Sequence, residues 1–189
     1  PCDTVFKQAN YLDVFSCRWK TADIGIGHGY IVAIDEGVSA KEEVLAKDLW
    51  IVPGFIDAHV HVESSLVVPS QFQNVVLPKG TTTAICDPHE LTNVLGTPAL
   101  SYFLEESEKL ALDLRVMLSS CVPATHMETN GGGSLSAQDL IPFLSHPKSL
   151  GLAEMMNFPG VLFQDPTVIE KLNRFSQVPI DGHCPLLRG

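Results

Sequence analysis

Two histidines separated by a single residue are the first side chains in this sequence whose types and spacing could do chemistry. His59 and His61 follow the run Pro53-Gly54-Phe55-Ile56-Asp57-Ala58, which is typical of a turn that leads into an apolar strand. On a β-strand, residues i and i+2 point to the same side, so both imidazoles could bind one cation. The pattern alone is not specific, because surface histidines occur at this spacing by chance.

Polar residues recur at regular intervals along the rest of the chain. After His59 they are Asp87, Cys121, Glu154 and His183, and the successive gaps are 28, 34, 33 and 29 residues. A TIM (β/α)8 barrel of roughly 250 residues uses about 31 residues for each βα unit, and its active site lies at the carboxyl ends of the strands. The spacing therefore matches five successive units. An open doubly wound sheet would give similar spacing, so closure stays undecided.

Glu154 and His183 could complete a metal site with the two histidines. Glu154 stands in the apolar segment 151–156, where a carboxylate is costly unless it is paired or bound to metal. The alternatives are a salt-bridged or helix-capping Glu154 and a hydrogen-bonded loop histidine at His183. A mixed histidine and carboxylate set suits Zn, Mn or Fe. Two metals bridged by a carboxylate could activate water for hydrolysis at an electron-poor carbon that bears nitrogen.

The elements that must position these residues change character near residue 53. Residues 1–52 are predicted to form short strands, with a turn at Gly27-His28-Gly29. In residues 53–189, apolar strands alternate with amphipathic helices, which is typical of βα units and predicts an α/β fold. The second part is therefore interpreted as the first five βα units of an incomplete barrel.

Two of the helices in this second part have clear sequence signals. The segment 69–79 is predicted to be helical, with Phe72, Val75 and Val76 on one face. Ser136 and Asp139 have the spacing of a capping box, which predicts that a helix begins there.

Composition limits the partners of this chain. Its 189 residues contain 12 Lys and Arg but 22 Asp and Glu, a net charge of −10, which disfavours nucleic acid because phosphate backbones are repelled. A small-molecule substrate or a cationic metal is compatible with that charge. The five cysteines are widely spaced and suggest free thiols. No apolar run is long enough to span a membrane, so we expect a cytoplasmic protein.

Several blocks of sequence resemble a known family. Residues 53–61 are similar to the first barrel strand of the amidohydrolase superfamily, which includes dihydroorotases and cytosine deaminases. Longer blocks are similar to the adenine deaminase family in particular. They are Val62-Glu63-Ser64-Ser65, Leu77 to Thr83, Asp87-Pro88-His89-Glu90, Asn93 to Gly96, Leu152 to Gly160 and Asp181-Gly182-His183.

The resemblance implies an activity and a set of site residues. It implies hydrolytic deamination of adenine to hypoxanthine and ammonia by a binuclear centre of Mn or Fe, with Zn as a further possibility. The implied metal ligands are His59, His61, Glu154 and His183, with Glu154 as the bridging carboxylate. The implied catalytic residues are Glu63, His89 and Glu90, which could transfer protons, contact substrate or support the ligands.

The resemblance also implies what lies outside these residues. Residues 1–52 would belong to a small β-sandwich domain, and the parent protein would form a homo-oligomer. The superfamily completes its site with a histidine after the sixth strand and an aspartate after the eighth, so we expect residues 1–189 alone to be inactive.

Two other functions stay open at this point. One is another amidohydrolase activity, of the cyclic amidase or cytosine deaminase type, and the other is an inactive metal-binding fragment. The substrate is also left open by departures from the adenine deaminase pattern at His126, Cys184, Leu186 and Arg188.

Overall fold

The chain divides into two compact units, Pro1–Pro53 and Gly54–Gly189. The structure, a computed structural model, describes residues 2–125, 127–129, 131–183 and 185. The four departures from the adenine deaminase pattern, at His126, Cys184, Leu186 and Arg188, lie outside the described residues.

The N-terminal unit contains one mixed five-stranded sheet. Its strands are β1 (Cys2–Asp13), β2 (Arg18–Gly27), β3 (Tyr30–Asp35), β4 (Ala40–Leu45) and β5 (Trp50–Ile51). They are arranged in the order β3-β2-β1-β4, and β5 also pairs with β1. β1 runs antiparallel to β2 but parallel to β4 and β5. The assignment of residues 1–52 to a small β-domain of a longer protein stays a prediction.

The predicted turn between β2 and β3 is confirmed. His28 and Gly29 both have positive φ angles, 53° and 79°, as the central residues of a tight type I′ hairpin require. The first two strands are longer than the short strands that the sequence suggested, since β1 extends over 12 residues and β2 over 10. β1 lies between β2 and β4, so hydrogen bonds on both sides support its length.

The second unit contains a parallel sheet that curls as half of a barrel, as predicted. Its strands are β6 (Phe55–Val60), β7 (Thr81–Cys86), β8 (Asp113–Leu118), β9 (Ser149–Met155) and β10 (Ile180–Gly182), in the spatial order β10-β9-β8-β7-β6. The helices are α1 (Pro69–Val76), α2 (His89–Leu95), α3 (Thr97–Ser107), α4 (Ala137–Leu140), α5 (Phe158–Leu162) and α6 (Pro166–Arg174). Short 3-10 helices cover Val62–Ser65, Leu77–Lys79 and Ile141–Ser145.

The helix signals in the sequence are confirmed in part. Ser136 and Asp139 form the predicted capping box at the start of α4. The segment 69–79 is helical, but its last three residues form a 3-10 turn. Of the three apolar residues predicted to share one face, Phe72 is buried and Val76 packs against the same apolar cluster, whereas 62% of Val75 is exposed.

Two apolar clusters hold the strands of the second unit in place. One contains Val116, Leu114 and Phe103, and joins β7 and β8 to α1 and α3. The other contains Leu118, Leu152 and Phe175, and joins β8 and β9 to the helices that follow them. Because these side chains are almost fully buried, the carboxyl ends of the strands have little freedom to move. Within the described ranges, no helix is long and apolar enough to cross a membrane.

Candidate metal centre

Glu154 lies at the carboxyl end of β9 and is surrounded by histidines at the ends of two other strands, β6 and β10. Only 5% of this residue is exposed. Its Oε1 lies 2.5 Å from Nε2 of His59 and 2.8 Å from Nε2 of His61. Its other oxygen, Oε2, contacts Nε2 of His183, the residue after β10. The structure therefore brings together the four side chains that the sequence suggested as metal ligands.

In each histidine of the His-x-His pair, the ring nitrogen that faces away from Glu154 lies close to an acceptor oxygen. Nδ1 of His61 lies 2.9 Å from the backbone carbonyl of Asp87, and Nδ1 of His59 lies 3.1 Å from Oδ2 of Asp181. Both rings therefore turn Nε2 toward the same carboxylate. The ring centroids lie 5.1 Å apart.

These contacts test whether the residues fit a metal ion. In each of the two rings, both nitrogens face an oxygen that can only accept hydrogen bonds, but a neutral imidazole carries a single N–H. One nitrogen lone pair would then face an oxygen lone pair, unless the ring is protonated or a cation lies between them. The ligand atoms of His59, His61 and Glu154 all lie within 4.8 Å of one another. The arrangement therefore fits a cation placed between the imidazoles and the carboxylate.

The pKa shifts at the centre agree with that preference for positive charge. Burial lowers the pKa of His61, but the hydrogen bond to Glu154 and the nearby Glu90 and Asp87 carboxylates outweigh it and raise the pKa above its ordinary value. Burial raises the pKa of Glu154, but its contacts with His61 and His183 outweigh this and hold the pKa below its usual range. Both shifts favour a carboxylate beside a positive charge.

Asp87 supports the centre from the end of β7. Its Oδ1 accepts a hydrogen bond of 2.7 Å from Ser119, while its carbonyl holds His61. Burial raises the pKa of Asp87 to about 7, although the Ser119 hydroxyl opposes the shift. Oδ2 of Asp87 has no hydrogen-bond partner among the described residues.

The three residues suggested for catalysis lie beside this cluster, around the start of α2. Glu90 accepts a 2.8 Å hydrogen bond from Ser64, and its other oxygen lies 3.3 Å from Nδ1 of His61. Glu63 accepts a hydrogen bond from the backbone N–H of Leu91. The ring of His89 lies 6.5 Å from that of His61, measured between centroids.

Burial shifts the pKa values of two of these residues in opposite directions. It raises the pKa of Glu63, and it lowers the pKa of His89. In both cases burial favours the neutral form relative to the charged form.

Sequence reasoning missed several residues that support the centre. It singled out Cys121 after β8, but Cys121 packs in the apolar core. The neighbouring Ser120 instead donates a 2.5 Å hydrogen bond to the backbone carbonyl of Glu154. Lys171, on α6, donates a 2.6 Å hydrogen bond to the carbonyl of Ser120, and burial lowers the pKa of its ammonium. No sequence signal marks these contacts, since they join residues far apart in the chain.

Curated relatives match the whole chain. It is 51% identical over 189 residues to an adenine deaminase of Cereibacter sphaeroides and 50% identical to one of Brucella suis. In both cases all of this chain is covered, but only 33% and 32% of the relative. The chain therefore spans about a third of the length of the curated relatives it matches.

Solved structures share the fold at low sequence identity. An N-acyl-D-glutamate deacylase from Bordetella bronchiseptica superposes with a TM-score of 0.62 at 17% identity, over 96% of this chain and 45% of that one. A dihydroorotase superposes with a TM-score of 0.59 at 13% identity, over 97% of this chain and 51% of that one.

A family profile identifies the second unit and the end of the first. The profile described as "Amidohydrolase family" matches residues 50–188, a span that includes all four suggested ligands. This family and the set of donor atoms together support a divalent metal at the centre. The resemblance to adenine deaminases is confirmed by identities near 50% along the entire sequence. The chain belongs to the amidohydrolase family.

Proposed function

We propose that the protein containing this chain is a metal-dependent hydrolase that converts adenine and water to hypoxanthine and ammonia. The observation that carries the proposal is the 51% identity to an adenine deaminase over all 189 residues, a span that contains the whole candidate centre. Because the chain spans a third of such relatives, the activity is proposed for the complete protein.

In this proposal His59, His61, Glu154 and His183 would hold a binuclear divalent metal centre, and Glu154 would serve as the shared carboxylate ligand. Support comes from the buried carboxylate, whose two oxygens face histidines from β6 and from the residue after β10. Histidine and carboxylate ligands suit Mn, Fe or Zn, and the likeness to adenine deaminases favours Mn or Fe. When bound, such a metal supplies Lewis-acid activation for hydrolysis of a carbon–nitrogen bond.

The reaction needs proton transfer as well as a metal. The oxygen of water forms a bond to C6 of adenine, and water gives up both of its protons, one to ring nitrogen N1 and one to the exocyclic nitrogen. The bond between C6 and the exocyclic nitrogen then breaks, and that nitrogen leaves as ammonia. Glu63, His89 and Glu90 are proposed to move these protons or to contact the purine. His89 and Glu90 lie at the start of α2 beside His61, and Glu63, in the 3-10 helix after β6, accepts a hydrogen bond from Leu91 of α2. A carboxyl group and an imidazole are the usual side chains for that task.

The remaining parts of the proposal concern the surroundings of the enzyme. The net charge of −10 is compatible with a small purine substrate and disfavours a nucleic-acid partner. A cytoplasmic location and a homo-oligomeric complete protein are proposed with the activity.

The test is an ammonia-release assay on the complete protein, loaded with Mn²⁺ or Fe²⁺. We expect adenine to be deaminated, and we expect His61→Asn to lose both bound metal and turnover. His146→Asn is the matched control, because His146 is a histidine of the same unit that contacts Glu108 rather than Glu154. A metal-loaded protein that leaves adenine untouched, or that hydrolyses only a cyclic amide, would overturn the proposal.

A further inference from the structure

We infer that Asp181 is a positioning residue for the metal centre, whose carboxylate holds His59 in the orientation and tautomer that metal binding requires. This inference rests on the proposed metal-dependent function. Asp181 lies on β10, two residues before His183, and its Oδ2 is 3.1 Å from Nδ1 of His59.

The carboxylate of Asp181 is itself fixed. Its second oxygen, Oδ1, accepts a 2.7 Å hydrogen bond from the backbone N–H of Gly182. One oxygen is therefore held by the backbone, and the other faces the imidazole. A carboxylate fixed in this way can orient a histidine ring without first losing freedom of its own.

The contact also joins the two outer strands of the sheet. His59 is on β6 and Asp181 is on β10, at opposite ends of the strand order β10-β9-β8-β7-β6. The two residues are 122 positions apart in the sequence. The side-chain contact between His59 and Asp181 therefore connects the two outer strands, in addition to the histidine contacts that Glu154 makes from β9.

The chemistry follows from the single N–H of a neutral imidazole. If Nδ1–H of His59 donates to Asp181, the lone pair of Nε2 is left for a cation beside Glu154. A carboxylate acceptor also makes the ring a stronger electron donor than a neutral acceptor would. Nδ1 of His61 lies 2.9 Å from the backbone carbonyl of Asp87 and 3.3 Å from a carboxylate oxygen of Glu90, so acceptor oxygens also lie behind the second histidine of the pair.

A merely structural ion pair would behave differently. About half of the Asp181 side chain is exposed, and exposed ion pairs contribute little to folding stability. Loss of the carboxylate should therefore leave unfolding almost unchanged. Loss of an outer partner of a metal-binding histidine, by contrast, weakens metal binding by about 10- to 100-fold.

The test measures Mn²⁺ affinity by equilibrium dialysis on the complete protein after its metal has been removed. We expect Asp181→Ala to raise the Mn²⁺ dissociation constant about 10- to 100-fold, with the thermal midpoint of the metal-free protein unchanged. Asp181→Asn keeps an oxygen acceptor and should give an intermediate loss. Asp113→Ala is the matched control, because Asp113 is similarly exposed and pairs with Lys148 at the other end of the sheet.

The outcomes separate this inference from the proposed function. A parent protein that binds no Mn²⁺, Fe²⁺ or Zn²⁺ refutes the metal centre itself. If the parent binds metal but Asp181→Ala and Asp181→Asn bind it equally well, the positioning role alone is overturned. Equal losses for Asp181→Ala and Asp113→Ala would also overturn it, because they would indicate a general effect of removing negative charge.

Discussion

Replacing Ser120 by alanine should remove a hydrogen bond between the segment after β8 and the end of β9, and should therefore lower the free energy of unfolding. The residue is almost fully buried, and its hydroxyl donates to the carbonyl of Glu154 over 2.5 Å. That carbonyl also accepts the N–H of Met156 over 3.0 Å, so the substitution does not leave it without any donor. We therefore expect the net cost of one hydrogen bond, about 1 kcal/mol of unfolding free energy, rather than the larger cost of an orphaned group.

A serine of β9 provides a matched control for this substitution. The hydroxyl oxygen of Ser149 is buried and has no hydrogen-bond partner among the described residues. Its removal in Ser149→Ala discards an unsatisfied polar group, which should be neutral or stabilising. The same chemical change in the same sheet should thus have different effects at the two positions.

Urea unfolding of the complete protein, followed by fluorescence and circular dichroism, would measure both effects. The expected order of stability places Ser149→Ala at or above the parent and Ser120→Ala about 1 kcal/mol below it. The reasoning is refuted if Ser120→Ala is as stable as the parent, or if Ser149→Ala is the more damaging of the two.

Three further predictions follow from the same structure. Gly151→Ala should lower the thermal midpoint, because a Cβ there would lie 2.1 Å from the backbone oxygen of Pro179, and overpacking of this kind costs about 1–3 kcal/mol; an unchanged midpoint would contradict the packing. Chelation should abolish adenine turnover, and added Mn²⁺ should restore it; turnover that persists in fully metal-free protein would argue against a metal-dependent reaction. Residues 1–189 produced alone should self-associate, because Phe163 is 84% exposed and Ile180, on the outer strand β10, is also open to solvent; a monodisperse monomer in light scattering would contradict this. The same residues alone should release no ammonia from adenine, and any release would contradict that expectation.

The fold was predictable where the sequence carries a local or periodic signal. The regular spacing from His59 to His183 predicted five parallel strands, because each βα unit needs a similar length of chain. The capping box at Ser136 was predictable because both of its hydrogen bonds are local. The convergence of Glu154 with the histidines also followed, since the carboxyl ends of parallel strands lie at one edge of a sheet.

Other features had no local signal. Helix α2 has only seven residues, too few for a periodic pattern, and short helices depend on tertiary packing for their stability. The exposure of Val75 was not predictable, because apolar spacing shows which residues share a face, and not how far the neighbouring layer extends. The contacts of Asp181 and Ser120 join distant strands, so only the three-dimensional structure reveals them.

The position of Glu154 between histidines at the end of β6 and the segment after β10 would make a bound metal a participant in folding as well as in the proposed reaction. A cation that binds this arrangement, but not the unfolded chain, stabilises the folded state by an amount that grows with its free concentration, about 2.7 kcal/mol at one hundred times the dissociation constant. Unfolding midpoints would then rise with added metal. In a cell, a shortage of the ion would enlarge the unfolded population that proteases degrade, and so would reduce the amount of the protein together with its activity.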